Sequence, residues 1–398
     1  MIMEYRFSDK LAALKPSAIR EIFKSLTDPT IISFAAGNPA PESFPVSELE
    51  KIGADIFANS PVSALQYSIT EGYPLLREAV AQRLLTKFSV GKKTDSTIIV
   101  SGGQQGIELA CKVLCNEGDA VICENPSFIG ALNAFRSNGA VTVGVPMESD
   151  GINVDALEDT IKNTPRAKML YLIPTFQNPS GITMSYEKRR AVYELALRHG
   201  LIIFEDNPYG ELRFSGEDIP TIKSIDTEGI VIYCSSFSKI LSAGMRVGYV
   251  CAPEPIISKM VVAKQSEDVH TNIFFQMLCH RYMTECDLDA HISEIRELYR
   301  RKCALMLDCI DREIPADKVS FTRPDGGLFI WGTLKGEKDS SALVAAAIAK
   351  KVAVVPGSTF NCDTSLPSPS FRLNYSTPSD EQITEGISRL GEAVKELY

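Results

Sequence analysis

Seven short apolar runs dominate the middle of this chain and constrain its fold more than any other feature. They are STIIVS (96–101), AVICE (120–124), AVTVGV (140–145), KMLYLIP (168–174), LIIFED (201–206), IVIYCS (230–235) and RVGYVCA (246–252). Helical patterns near 104–116, 128–138, 155–162 and 185–199 separate the earlier ones. A strand that is apolar at consecutive positions is buried on both faces, which a parallel sheet covered by helices provides. The last two runs are joined by about ten residues, too few for a helical crossover, so an antiparallel strand is expected there. The sequence predicts an α/β fold with a mostly parallel seven-stranded sheet sandwiched by helices.

After residue 254 the pattern turns helical, and 287–313 reads as one long amphipathic helix. Strand-like VSFTRP and GGLFIWG follow, then a helix near 341–350, VAVVPG, FRLNYS and a closing helix near 379–396. The expected division is an N-terminal arm (1–45) packing with a small domain, a large domain (46–286), and a smaller α+β domain (287–398) that begins with the long interdomain helix.

The 398 residues are 44% hydrophobic and 23% charged, which excludes disordered and fibrous classes. A net charge of −9 argues against a nucleic-acid or anionic-membrane surface. No run approaches the ~18 residues of a membrane span, and MIMEYRFSDK lacks a secretory pattern. The ten cysteines form no CxxC and read as reduced core thiols; the four histidines form no HExxH and no zinc-spaced cluster, so no metal is expected. A cytoplasmic enzyme or binding protein is what remains.

Ligands of open parallel sheets sit at the carboxyl ends of the strands. There the sequence places Ser101-Gly102-Gly103-Gln104-Gln105-Gly106 opening a helix, Asn125-Pro126-Ser127-Phe128, Thr175-Phe176-Gln177-Asn178-Pro179, Glu205-Asp206-Asn207-Pro208-Tyr209, and Ser235-Ser236-Phe237-Ser238-Lys239 with Arg246 beyond. Each has an ordinary reading: a tight turn, a core Phe, a helix-capping Asp, a solvent-seeking Lys. The glycine turn matches neither the dinucleotide fingerprint nor the P-loop. Taken together they supply a phosphate cradle, a stacking ring, an amide, a phenol, a buried carboxylate and an amine, an inventory that fits pyridoxal 5′-phosphate.

The strings SGGQQGIEL, NPSF, FQNPSG, EDNPYG and SSFSKILSAGMRVGY, in this order, resemble fold-type I pyridoxal-phosphate aminotransferases of class I/II. SAIREIFKSL, SFAAGNPAPESFP, LQYSITEGYPLLREAV and FRLNYS extend the resemblance over the chain, nearest to the 2-aminoadipate/kynurenine aminotransferase branch. The resemblance implies that Lys239 carries the cofactor and shuttles a proton between Cα and C4′, that Asp206 pairs with the pyridinium nitrogen, and that Asn178 and Tyr209 bond its phenolic oxygen. It implies that Phe128, where many relatives have Tyr, stacks on the ring, and that Gly103, Gln104, Gln105, Ser236, Ser238 and Arg246 hold the phosphate. Tyr67 would reach the neighbouring subunit's phosphate in a homodimer, and Arg372 would clamp the substrate carboxylate. Gly37 and Asn38 would line the substrate entrance, and Asn178 would also touch the substrate. Arg20 either meets a distal substrate group or merely caps an N-terminal helix. The implied activity is ping-pong transfer of an amino group between an L-amino acid and a 2-oxo acid, 2-oxoglutarate being the expected acceptor. A pyridoxal-phosphate lyase shares the same constellation. A non-catalytic ligand-sensing domain is the least expected alternative, since only about 30 residues precede SFAAGNP.

Overall fold

The computed structural model describes residues 5–12, 14, 28–336 and 338–398, so Arg20 lies outside the described residues. The strands are β1 (Ile32–Ser33), β2 (Asp95–Val100), β3 (Ala120–Asn125), β4 (Val141–Glu148), β5 (Gly151–Ile152), β6 (Ala167–Leu172), β7 (Ile202–Asp206), β8 (Val231–Ser236), β9 (Gly248–Pro253), β10 (Val319–Phe321), β11 (Phe329–Leu334), β12 (Val352–Ala353), β13 (Val355–Pro356) and β14 (Ser370–Asn374). The main sheet has the order β2-β9-β8-β7-β6-β3-β4-β5. Its central strands β3, β4, β6, β7 and β8 are parallel. β9 runs antiparallel to both β8 and β2, the reversal that its short connection dictates. Seven strands correspond to the seven apolar runs. The eighth, β5, is a two-residue return of β4 through a turn ending at Gly151, where φ is +124°. A strand that short leaves no apolar periodicity in the sequence.

Alternate residues of the central strands feed two separate cores, as the period-two geometry of a strand requires. Val121, Cys123, Met169, Tyr171, Phe204, Ile232 and Cys234 face the core shared with the helices Gly103–Leu114 and Ile129–Ser137. Ile122, Leu170, Leu172, Ile203 and Val231 face the core under the helices Val154–Lys162 and Tyr186–His199. The latter helix has clear stops: the Ser185 side chain accepts from the Lys188 N–H, and Gly200 ends it at φ +68°.

Beyond the main sheet, the helix Leu288–Glu313 buries Ile292, Ile295, Tyr299, Cys303, Met306 and Ile310 along one stripe. It packs against the closing helix Asp380–Leu397, which Ser379 and Gln382 start with a capping box. An antiparallel sheet, β10-β11-β14-β13, lies beside them. β1 pairs in parallel with β12, tying the N-terminal stretch to this region. No helix among the described residues is long and apolar enough to cross a membrane.

At the amino end of the main sheet, Lys223 Nζ donates to Asp95 Oδ1 (2.9 Å) and Asp226 Oδ2 (3.0 Å), with all three side chains buried. Removing one member of a buried ion group strands the others. Lys223→Met is expected to cost about 3–5 kcal/mol in urea denaturation; a loss within ordinary surface scatter contradicts the anchoring role.

Candidate active site

The carboxyl ends of β3, β7 and β8 and the loop after β6 converge on a cavity of about 370 Å³. Of the residues singled out in the sequence, Gly37, Asn38, Gly103, Gln104, Phe128, Asn178, Asp206, Tyr209, Ser236, Ser238, Lys239, Arg246 and Arg372 all line it. Three do not. Tyr67 is 81% exposed, its ring edge-on to His270 at 5.9 Å. The Gln105 side chain turns away to Ser101, Lys264 and Glu267. Arg20 falls outside the described residues.

Lys239 follows β8 and its Nζ donates to the Gly37 carbonyl (2.7 Å). Burial, reinforced by the positive charges of Arg372 and Arg246, lowers its pKa from 10.5 to about 8. Asp206 ends β7 with no cation among its partners in the described residues; burial raises its pKa from 3.8 to about 7, partly offset by a hydrogen bond from Tyr171 OH to Oδ2 (2.7 Å). A cavity that presents a readily deprotonated amine and an uncompensated carboxyl accepts a ligand with an electrophilic carbon and a positive charge.

A second set of contacts joins the main sheet to the smaller one. Arg372, on β14, donates from Nη1 to Asn178 Oδ1 (2.8 Å) and from Nη2 to the Ala35 carbonyl (2.8 Å). Asn178 Nδ2 donates to Tyr209 OH (3.3 Å). The guanidinium lies 4.2 Å from the Phe329 ring centre and 5.0 Å from that of Phe360, and its Nε has no partner among the described residues. An arginine held flat by two rings, with a donor to spare, suits a carboxylate.

The opposite wall suits an anion. Ser236 Oγ donates to Ser238 Oγ (2.7 Å), the Ser238 N–H returns to Ser236 Oγ (3.0 Å), and Arg246 reaches Ser238 Oγ (3.5 Å) and the Ser101 carbonyl (3.3 Å). Gly102, at φ +76°, is where a Cβ would run into the Arg246 guanidinium, so only glycine lets that side chain lie against the turn. The helix starting at Gly103 aims its free N–H groups at the same end.

Residues 29–390 match the family Aminotransferase class I and II. The chain belongs to the class I and II aminotransferases. It is 40% identical over 397 residues to the aromatic-amino-acid aminotransferase 1 of Thermococcus litoralis, covering 99% of this chain and 95% of that protein. The crystal structure of the Pyrococcus horikoshii kynurenine aminotransferase, in complex with PMP and with KYN as substrate, superposes with a TM-score of 0.94 at 38% identity, covering 98% of this chain and 97% of that one. The α-aminoadipate aminotransferase of Thermus thermophilus, complexed with N-(5′-phosphopyridoxyl)-L-leucine, does so with a TM-score of 0.89 at 38% identity and the same coverage. The chain is thus a fold-type I transaminase of the pyridoxal-phosphate-dependent kind, and its relatives include 2-aminoadipate and kynurenine aminotransferases.

Three residues at the aminotransferase site escaped the sequence reading. Tyr171 sits inside an apolar run, and only the β6–β7 register, Tyr171 opposite Phe204, puts its hydroxyl beside Asp206. Phe329, on β11, approaches from the smaller sheet. Glu124, fully buried at the end of β3, accepts from the Ile173 N–H (3.0 Å) and Gln177 Nε2 (3.3 Å), while its other oxygen has no partner among the described residues.

Two outcomes follow from these charges. Labelling of Lys239 by an amine-reactive reagent, read by mass spectrometry in the cofactor-free protein, is expected to have its midpoint near pH ~8; a midpoint near that of an exposed lysine contradicts the desolvated setting. Burial raises the Glu124 pKa from 4.5 to about 8, so the folded chain holds this proton more tightly than the unfolded chain. Its contribution is intact below the unfolded value and declines as pH rises toward 8. The melting temperature of Glu124→Gln relative to wild type should therefore improve steadily from pH ~5 to ~8; a pH-independent difference sinks this assignment.

Proposed function

We propose that this aminotransferase moves an amino group from an L-amino acid to a 2-oxo acid, with 2-oxoglutarate as acceptor, in the two half-reactions of a ping-pong cycle. The observation that carries the reading is the pairing, across one cavity, of the Lys239 amine with the buried, cation-free Asp206 carboxyl. Bound pyridoxal phosphate supplies an electrophilic carbonyl and an electron-accepting ring. The residues present fit that group, because a ring cation would give Asp206 the partner it lacks and a phosphate would satisfy the donors around Arg246.

On this reading Lys239 would hold the cofactor, and its neutral amine would move a proton between the substrate Cα and C4′, worth roughly 10²–10⁴ in rate. Asp206 keeps the ring nitrogen protonated, with Tyr171 fixing the carboxylate. Asn178 and Tyr209 bond the phenolic oxygen, and Phe128 covers the ring face. Gly103, Gln104, Ser236, Ser238 and Arg246 take the phosphate, with Gln105 contributing from its backbone. Arg372 clamps the substrate carboxylate, while Gly37 and Asn38 border the substrate entrance. Arg20 would meet a distal group of the substrate.

The proposal extends to assembly. Val62 is 75% exposed, Leu65 73% and Ile69 47%, beside the 81% exposed Tyr67. An apolar surface of this kind supports a homodimer in which Tyr67 completes the partner's phosphate site. The ten cysteines, all unpaired, accord with a reducing cytoplasm. The division into an arm, a cofactor-holding domain to about residue 286 and a smaller domain beyond it belongs to the same reading.

Adding an amino donor alone to the holoenzyme should shift the cofactor spectrum to the pyridoxamine form with stoichiometric release of a 2-oxo acid, and 2-oxoglutarate should reverse it. Ammonia release without that shift would establish the lyase instead.

A further inference from the structure

A closed ring of polar side chains lies beneath the Ser101–Gln105 turn and outside the cavity. Its centre is Lys264, whose side chain is fully buried. An ammonium has three donors, and here each has an acceptor: Gln105 Oε1 (2.7 Å), Asp268 Oδ1 (2.7 Å) and Thr271 Oγ1 (3.0 Å). The Thr271 and Ser101 hydroxyls are 3.1 Å apart, and Ser101 Oγ donates to Asp268 Oδ2 (2.7 Å), which closes the circuit. The Ser101 N–H donates to the same Gln105 Oε1 that Lys264 holds (2.8 Å). Gln105 also reaches Glu267 through Nε2 (3.2 Å).

A lysine taken wholly out of water is costly unless every donor is met. This one is met at the place where the chain leaves β2 and starts the helix at Gly103. The ring therefore fixes Ser101 through both its backbone and its hydroxyl. Ser101 in turn presents its carbonyl to Arg246 Nη2 (3.3 Å) and immediately precedes Gly102 and Gly103. Nothing in the chemistry at Lys239 calls for a buried lysine at this turn, and Lys264 does not line the cavity.

We propose that Lys264 is a positioning residue: with Asp268, Thr271 and the Gln105 side chain it holds the Ser101–Gln105 turn and Arg246 in the geometry that binds the cofactor phosphate. This rests on the pyridoxal-phosphate reading of the cavity. It also explains why Gln105, at the phosphate end of the motif, turns its side chain inward: its amide oxygen links the buried cation to the Ser101 backbone.

The test compares full-length, cofactor-free protein titrated with pyridoxal phosphate and with pyridoxal, which has the same ring and aldehyde and no phosphate. Lys264→Met and the milder Ser101→Ala, which removes only the hydroxyl link, are expected to weaken pyridoxal phosphate by about tenfold or more. Pyridoxal binding should stay within about twofold of wild type. Equal weakening of both ligands, or lowered thermal stability with both affinities unchanged, overturns the positioning role. Ser101→Ala keeps the comparison available if Lys264→Met does not fold. A wild-type protein that fails to prefer the phosphorylated ligand would instead overturn the cofactor reading itself.

Discussion

Asp206 is a carboxyl group at the end of a strand whose other residues are almost wholly buried, with a tyrosine hydroxyl as its one side-chain hydrogen-bond partner among the described residues. An ionised carboxylate in such a place is disfavoured until a positive charge arrives. The surrounding fold sustains that imbalance. β7 lies at the middle of the main sheet, flanked in register by β6 and β8, so its end cannot relax toward water. Lys239, carried from β8, is held in the complementary condition by desolvation and by two arginines. The site thus keeps an acid and a base away from their ordinary pKa values in opposite directions, the arrangement that proton-transfer chemistry near neutral pH calls for.

Side chains tie the two sheets together at the cavity. Arg372 on β14 bonds Asn178 from the loop after β6, and Asn178 bonds Tyr209 from the loop after β7. Lys239 bonds the Gly37 carbonyl, which belongs to the stretch paired with the second region through β1 and β12. The smaller sheet therefore delivers one cation, Arg372, and one aromatic ring, Phe329, to a cavity whose acid, base and anion-binding turn all come from the larger one. Residues that would contact the cofactor lie at the carboxyl end of the larger sheet, whereas those that would contact the substrate come from outside it, Arg372 from β14 and Gly37 and Asn38 from the stretch after β1.

The fold was legible because its strongest signals are local. Consecutive apolar residues mark β3, β6, β7 and β8, and the helices between them carry caps such as Ser185 and Gly200. The cavity residues were legible because the strand ends carry Gly, Asn, Asp and Lys, each ordinary alone but together an inventory that matches one ligand. What the sequence hid depends on which way a side chain points across strands. Tyr171 looks like any core aromatic until the β6–β7 register is known. Phe329 comes from a sheet whose docking against the first has no local signature. Gln105 occupies the right loop, but the lysine that captures its amide lies 159 positions away. The two-residue β5 is too short to leave a periodicity.

The most direct measurement is the titration of the Asp206 carboxyl by carbon-13 NMR in the protein with and without pyridoxal phosphate, with Asp206→Asn providing the assignment. The expected result is a carboxyl that titrates near pH ~7 in the empty cavity and becomes ionised down to much lower pH once the cofactor is bound. A carboxyl already ionised at pH ~5 without cofactor, or one whose titration is unmoved by it, would contradict the claim that this buried acid waits for the ring's positive charge.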